Sequence, residues 1–370
     1  MTLTSVKAHA LQWGTGRPLA ALAPRPPFTA TVVLEDAAHL DALLGSGVAG
    51  PGTVVLVPGD EPTAEPEPHE ATGAQVIVWQ GSLGEPGAEA GLHPDFYLQV
   101  QAYSITPYLS VLGPTLVRIV EEADFQAFLE DADRALNDGE FSAFLTHPSV
   151  QLADLGSLGG AGAGDGPALR LYVAADGSVS VAPGATPLGP VGAPAAELHR
   201  AWEDSTGALA GVLDEDLRRE QLAARPWISR YLAAVGAIRE AVTRGLEQPR
   251  VSGFGGRLVP ALAAHAAPQD TSGDTPVLLF NAEQALIHHP GDRRTIALSP
   301  GAAQAAEALL VTGAARAAAD YADPATVDAV AAYFSGIGLP LTESAAPRTA
   351  TRTAARAAAA TSAATEGATR

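Results

Sequence analysis

The chain has 370 residues, 47% of them apolar, with no cysteine and a formal net charge of −19. That length suits two or three units with real cores, and the missing cysteine excludes disulfides, thiolate metal sites and Fe–S clusters. So strong an acidic balance argues against a nucleic-acid partner, because phosphate binding needs clustered Lys and Arg.

Residues 1–156 read as an α/β region. The alternating run FTATVVLED ends at Asp36, a cap for a short helix carrying Leu40, Leu43 and Leu44. GTVVLVPG and AQVIVWQG are apolar runs bounded by Gly and Pro, as buried strands are. The Pro/Glu stretch between them, residues 60–73, reads as a solvated loop. FYLQVQAY and TLVRIV supply two further strands, and a helix follows with Phe125, Phe128, Leu129, Ala132 and Leu136 on one face. Residues 156–167, GSLGGAGAGDGP, have the composition of a flexible joint.

A hairpin-and-helix region spans residues 167–250. Asp176-Gly177 between two alternating runs is a type I′ hairpin signal. A helix with Leu198 and Trp202 follows, then helical spacing over residues 208–224 and 226–246. In the second of these Ile228, Tyr231, Leu232, Val235, Ile238 and Val242 form one stripe.

The last folded unit is expected over residues 274–341. VLLF, QALIHH and RRTIALS make three short strands. Ser299-Pro300 caps and opens a helix that stops at Gly313, AARAAADYA supplies a second, and Asp323-Pro324 opens a third. Three strands followed by three helices predict a winged helix-turn-helix, so the fold class is an α/β region plus an α+β C-terminal module. Residues 277–341 carry three arginines (Arg293, Arg294, Arg316) against six carboxylates, and the third helix has no Lys or Arg. Such a surface repels phosphate. Residues 342–370 are Ala/Thr-rich and read as a disordered tail.

No catalytic constellation emerges. Lys7 is the only lysine, so a P-loop is excluded; GTGRPL lacks the third Gly of G-x-G-x-x-G, GAGAGDG has no following helix pattern, and G-x-S-x-G does not occur. His288 and His289 are neighbours on a strand and face opposite sides, so they cannot share a metal. His93 and His147 each precede proline and cap turns. No cofactor and no metal is expected. No stretch reaches membrane-spanning length and no cationic segment precedes an apolar run, so the expectation is a cytoplasmic protein without a membrane partner.

The order of strands, LSPGAA, an Ala/Leu helix, TG, a second Ala helix and a final helix ending in GL resembles the peptide-binding winged-helix domains of ribosomal peptide (RiPP) biosynthesis. The small chaperone of pyrroloquinoline quinone synthesis belongs to that group. The resemblance implies that a precursor's leader adds a strand to the third strand, here Arg293, Arg294, Thr295, Ile296, Ala297 and Leu298. It would settle beside the third helix at Thr326, Ala329, Val330 and Tyr333. For Arg293 and Arg294 two roles stand side by side: attraction of an acidic leader, or protection of a strand edge by charge. Upstream, LRLYVAADGSVSVAPGATPLGPVG is similar to the auxiliary-cluster domain of radical-SAM peptide maturases, but with every cluster cysteine absent.

The whole order resembles the recognition proteins of daptide-type clusters. That implies a non-catalytic protein whose partners are a ribosomally synthesised precursor peptide and the modifying enzymes of the same pathway. Two rivals remain: an enzyme with scattered Asp, Glu, His and Arg in the α/β region, and a winged-helix transcription regulator.

Overall fold

Short β-branched runs stopped by Gly or Pro give the larger sheet ten strands in the computed structural model, which describes residues 2–19, 22, 27–62, 68–162, 164 and 166–342. They are β1 (Thr31–Leu34), β2 (Val54–Pro58), β3 (Gln75–Gly81), β4 (Glu89–His93), β5 (Phe96–Ala102), β6 (Thr115–Arg118), β7 (Val150–Leu152), β8 (Arg170–Val173), β9 (Ser178–Ser180) and β10 (Gly189–Pro190). Their order is β10-β9-β8-β1-β2-β3-β4-β5-β6-β7. β8, β1, β2 and β3 run parallel, as do β5, β6 and β7, and the antiparallel β4 joins the two blocks. On β1 and β2 successive residues enter two different apolar clusters, so both faces are covered, as parallel strands require. The expected tail lies outside the described residues, apart from Thr342, as does part of the Pro/Glu loop.

The start of the chain, which carries no clear sequence signal, is a helix, α1 (Leu3–Thr15), capped by Thr2 and stopped at Gly16 with φ 65°. Val6, Ala10 and Trp13 bury against Val33, Leu56, Trp79 and Leu98, and α1 touches β1, β4, β7 and β8, so the sheet curls about it. Trp13 Nε1 donates to Leu171 O at 2.9 Å, and Arg170 Nη1 donates to Trp13 O at 2.7 Å. Arg170 Nη2 also pairs with Asp154 Oδ1 at 2.8 Å, with the two side chains only 1% and 3% exposed. One ion pair thus ties α1, the turn after β7 and β8 together.

Beyond β1 lies the short helix α2 (Leu40–Gly45), and between β6 and β7 lies α3 (Glu122–Asp138). The Gly-rich joint does not divide the sheet. β8 pairs with β1 in parallel register across it, and Ser157 and Leu158 within it are buried. The Asp-Gly hairpin forms between β8 and β9, but not as type I′. Only Gly177 has positive φ, at 82°. Gly177 N donates to Ala174 O at 2.9 Å, and Ser178 N donates to Asp176 Oδ1, also at 2.9 Å. That is a three-residue loop, a turn followed by one left-handed glycine.

Three helices follow: α4 (Ala195–Glu203), α5 (Glu215–Ala223) and α6 (Ile228–Thr243). α5 is shorter than its periodicity suggests because Asp214 caps it by accepting from Leu217 N at 2.8 Å. Val242, expected in the buried stripe of α6, is 39% exposed.

The second sheet is antiparallel and separate: β11 (Arg250–Val251), β12 (Val277–Phe280), β13 (Ala285–His289) and β14 (Arg294–Leu298), in that order. One face packs on α6, placing Val251, Val277, Leu279 and Leu286 among Tyr231, Val235 and Ile238. The other face packs on α7 (Pro300–Thr312), α8 (Ala315–Ala318) and α9 (Pro324–Gly336), with Leu278 and Ile287 against Leu309, Val327 and Phe334. The unit also draws in residues ahead of 274. Val259, Leu262 and Ala267 join the same cluster. The buried Glu307 of α7 accepts from Ser252 Oγ at 2.6 Å and from Leu258 N at 2.7 Å. Among the described residues no helix is long and apolar enough to cross a membrane.

Two expected outcomes follow from this packing. A fragment of residues 274–341 lacks α6, and exposing Val277, Leu279 and Leu286 costs on the order of 5 kcal/mol, comparable to a whole domain's stability. It should show no cooperative thermal transition by circular dichroism; a sharp transition would contradict this account. Arg170→Met leaves Asp154 charged and buried, and should lower full-length stability by about 3–5 kcal/mol in urea titration.

Candidate functional site

β14 stands at the end of its sheet and pairs only with β13 among the described residues. The register matches Ile287 with Ile296 and Ala285 with Leu298, so the alternation of the strand is fixed. Ile296 and Leu298 turn toward α7 and α9 and are half-buried against that core. Thr295 and Ala297 turn to the other face, where Thr295 Oγ1 meets His288 Nδ1 at 2.9 Å. Among the described residues no strand pairs with the outer edge of β14.

Beside that edge runs an open groove of about 440 Å³ between the end of β14, the first turn of α7 and one side of α9. Leu298 and Ala302 form one wall; Ala325, Thr326, Ala329, Val330 and Tyr333 form the other, over a floor that includes Phe334. No charged side chain lines it. Tyr333 is 54% exposed, its ring edge-on to the buried Phe334 at 5.3 Å. α9 is held in place at its start, where Asp323 Oδ2 accepts from Thr326 N at 2.9 Å and Thr326 Oγ1 at 2.7 Å. Those bonds hold the Asp323 carboxyl below its usual range.

Of the residues expected to meet a peptide, Leu298, Thr326, Ala329, Val330 and Tyr333 therefore share one groove, although Val330 is mostly buried. Ala297 is exposed on the edge strand, and Ile296 is mainly core. Arg294 is on β14, but its guanidinium pairs with Asp292 at 2.5 Å and reaches Ile337 O, at the end of α9, at 3.3 Å. Arg293 is not on the strand. It occupies the preceding turn with φ 58° and lines a different cavity on the α6 face. Sequence reasoning missed Ala302 and Ala325. The signal was the small residues in SPGAA and DPAT, which leave space where larger side chains would close the groove.

Comparison with known protein families, characterised proteins and solved structures finds no match to this chain.

The rival sites can be read from the same geometry. In the α/β region Glu35, Tyr172 and Arg118 converge at the ends of β1, β8 and β6. Burial first, with help from nearby Glu85, raises the Glu35 carboxyl, and the Tyr172 hydrogen bond and Arg118 offset this only in part. Arg118, however, is buried and donates to Leu83 O, Gly84 O and Pro183 O at 3.4, 3.2 and 2.8 Å, a structural use of its donors. Among the described residues no group of three or more His, Asp or Glu could hold a metal ion. His93 and His147 do cap turns, accepting from Asp95 N at 3.0 Å and Ser149 N at 3.2 Å.

His288 gives a pH-dependent handle on this region. Burial first, then nearby Arg293 and Arg17 against the opposing Glu240, lowers its pKa to about 4. Between the ordinary histidine value and about 4, the unfolded chain binds the proton that the folded one refuses. Stability is then lost as pH falls through that window, by on the order of 3 kcal/mol at its acid end. His9, also lowered to about 4 by burial, adds in the same direction. His288→Asn should flatten the dependence of the urea midpoint on pH between 6.5 and 4; an unaltered slope would disprove the assignment.

Proposed function

We propose that this chain binds a ribosomally made precursor peptide through its leader and presents the remainder to separate modifying enzymes, contributing no chemistry of its own. The observation that carries this reading is the unpaired edge of β14 lying against an uncharged, open groove on α9. A peptide added there gains backbone hydrogen bonds from the edge, and alternate side chains enter the groove. The order β12, β13, β14, α7, α8, α9 supports a winged helix-turn-helix with its sheet placed first. An acidic module suits this mode, because edge pairing and apolar contacts need no positive surface. The absence of Lys and Arg from α9 disfavours the transcription-regulator alternative.

The test is fluorescence anisotropy with full-length protein and labelled leader peptides encoded beside this chain, with a scrambled leader as control. Tyr333→Ala should weaken binding about tenfold, and Ala329→Arg, which fills the groove, by at least as much. Both residues are exposed, so unfolding free energies should stay within about 1 kcal/mol of wild type. Leader binding that ignores both substitutions would overturn the proposal.

A further inference from the structure

On the opposite face of the small sheet from the groove lies a second cavity, of about 270 Å³, between α6, the residues after α1 and the β13–β14 turn. Three guanidinium groups line it: Arg17, Arg239 and Arg293. In a chain with 22 Lys and Arg against 41 Asp and Glu, that local excess runs against the composition. Ser229, Thr243 and Gln151 add polar side chains. The lining holds one carboxylate, Glu240, and it is taken up by Arg244 Nε at 2.9 Å. His288, also in the lining, stays neutral near pH 7 because its pKa is about 4.

Each arginine carries a cost that the protein alone does not offset. Arg17 is held partly buried with Nη2 donating to Pro290 O at 3.0 Å, and burial first, then Arg293, disfavours its charge, with Asp274 only opposing in part. Arg239 donates Nε to Leu145 O at 2.6 Å and Nη1 to Gln151 Oε1 at 3.3 Å. Its Nη2 is buried without a hydrogen-bond partner among the described residues. An unmet buried donor on a cation costs about 1–3 kcal/mol or more. Arg293 sits at φ 58°, a left-handed position where glycine or asparagine would rest more easily. Strain, like-charge repulsion and an orphaned donor meet at one cavity.

A compact anion relieves the repulsion between Arg17 and Arg293 and offers acceptors to the guanidinium groups that face the cavity. We propose that this cavity binds a compact oxyanion, a phosphate or a dicarboxylate, clamped by Arg17, Arg239 and Arg293. Guanidinium forks match such oxygens with paired, charge-assisted hydrogen bonds, which a point cation does not provide. The volume admits a small ion or metabolite rather than a chain segment. The site lies on the α6 face and is argued without reference to the groove, so its failure would leave the peptide reading untouched.

Isothermal titration of the full-length chain, in low-salt buffer free of phosphate, tests it with inorganic phosphate and with glutarate as separate probes. Wild type should bind at least one of them saturably and one to one, and the tighter probe identifies the class of ligand. Arg293→Asn keeps the left-handed turn, and Arg17→Gln keeps a donor; each should weaken binding at least tenfold. Thermal melts guard against a merely structural effect. Without probe, Arg293→Asn should melt at or above the wild-type temperature, because a repelling charge is gone, and the probe should raise the wild-type midpoint but not the variant's. No saturable binding of either probe, or equal binding by wild type and both variants, would overturn the assignment.

Discussion

Helix α6 is the element that both sheets depend on. Its Tyr231 meets Phe128 of α3 at 6.0 Å and stacks on Phe141 at 5.9 Å, while Val235 and Ile238 of the same helix lie in one cluster with Val277, Leu279 and Leu286. Two arginines fasten its sides. Arg230 donates to Thr275 O and Pro276 O, at the entrance of β12, and Arg239 to Leu145 O near β7. A helix buried this way cannot shift without opening a cavity in the aromatic cluster or freeing guanidinium donors, both costly. The small sheet therefore meets the rest of the chain as part of one packed body, and β14 is presented at its outer margin.

Two local features of that margin weigh against pairing with another copy of itself. β14 is five residues long, and its first residue, Arg294, is pinned to Asp292 and Ile337 O. A short strand with a fixed charge at one end is a poor template for uncontrolled pairing. The other end of the strand, at Leu298, meets the uncharged groove.

The parts that were legible in sequence are those fixed by local chemistry. Ser299 and Asp323 cap α7 and α9, Gly313 ends α7 in the left-handed conformation, and the apolar runs of β1, β2, β3, β5 and β6 form strands. The parts that were hidden depend on distant partners. α1 has little apolar periodicity, and its burial follows from Arg170, Asp154 and Leu171, more than a hundred residues away. β8 looks separated from β1 by a glycine-rich stretch, yet such a stretch sets no distance between what it joins. For the groove, Tyr333 and Ala329 could be placed by helix spacing, whereas Arg293 was misplaced. A turn that ends one residue later than its sequence suggests moves that side chain to the other face.

Charge placement explains how so acidic a chain can still build specific sites. Arg118, Arg170 and Arg230 are buried, and each is spent on backbone carbonyls or on a buried carboxylate. Asp124, Asp154 and Glu307 are buried as well, so the outer surface keeps essentially the chain's whole acidic balance. A recognition surface on such a body gains little by using charge, because any basic patch would be contested by nearby Asp and Glu. An uncharged groove beside open backbone groups escapes that competition, since main-chain hydrogen bonds and apolar burial are insensitive to the field around them. The same field singles out the cavity lined by Arg17, Arg239 and Arg293, where three guanidinium groups stand close together in an otherwise acidic chain.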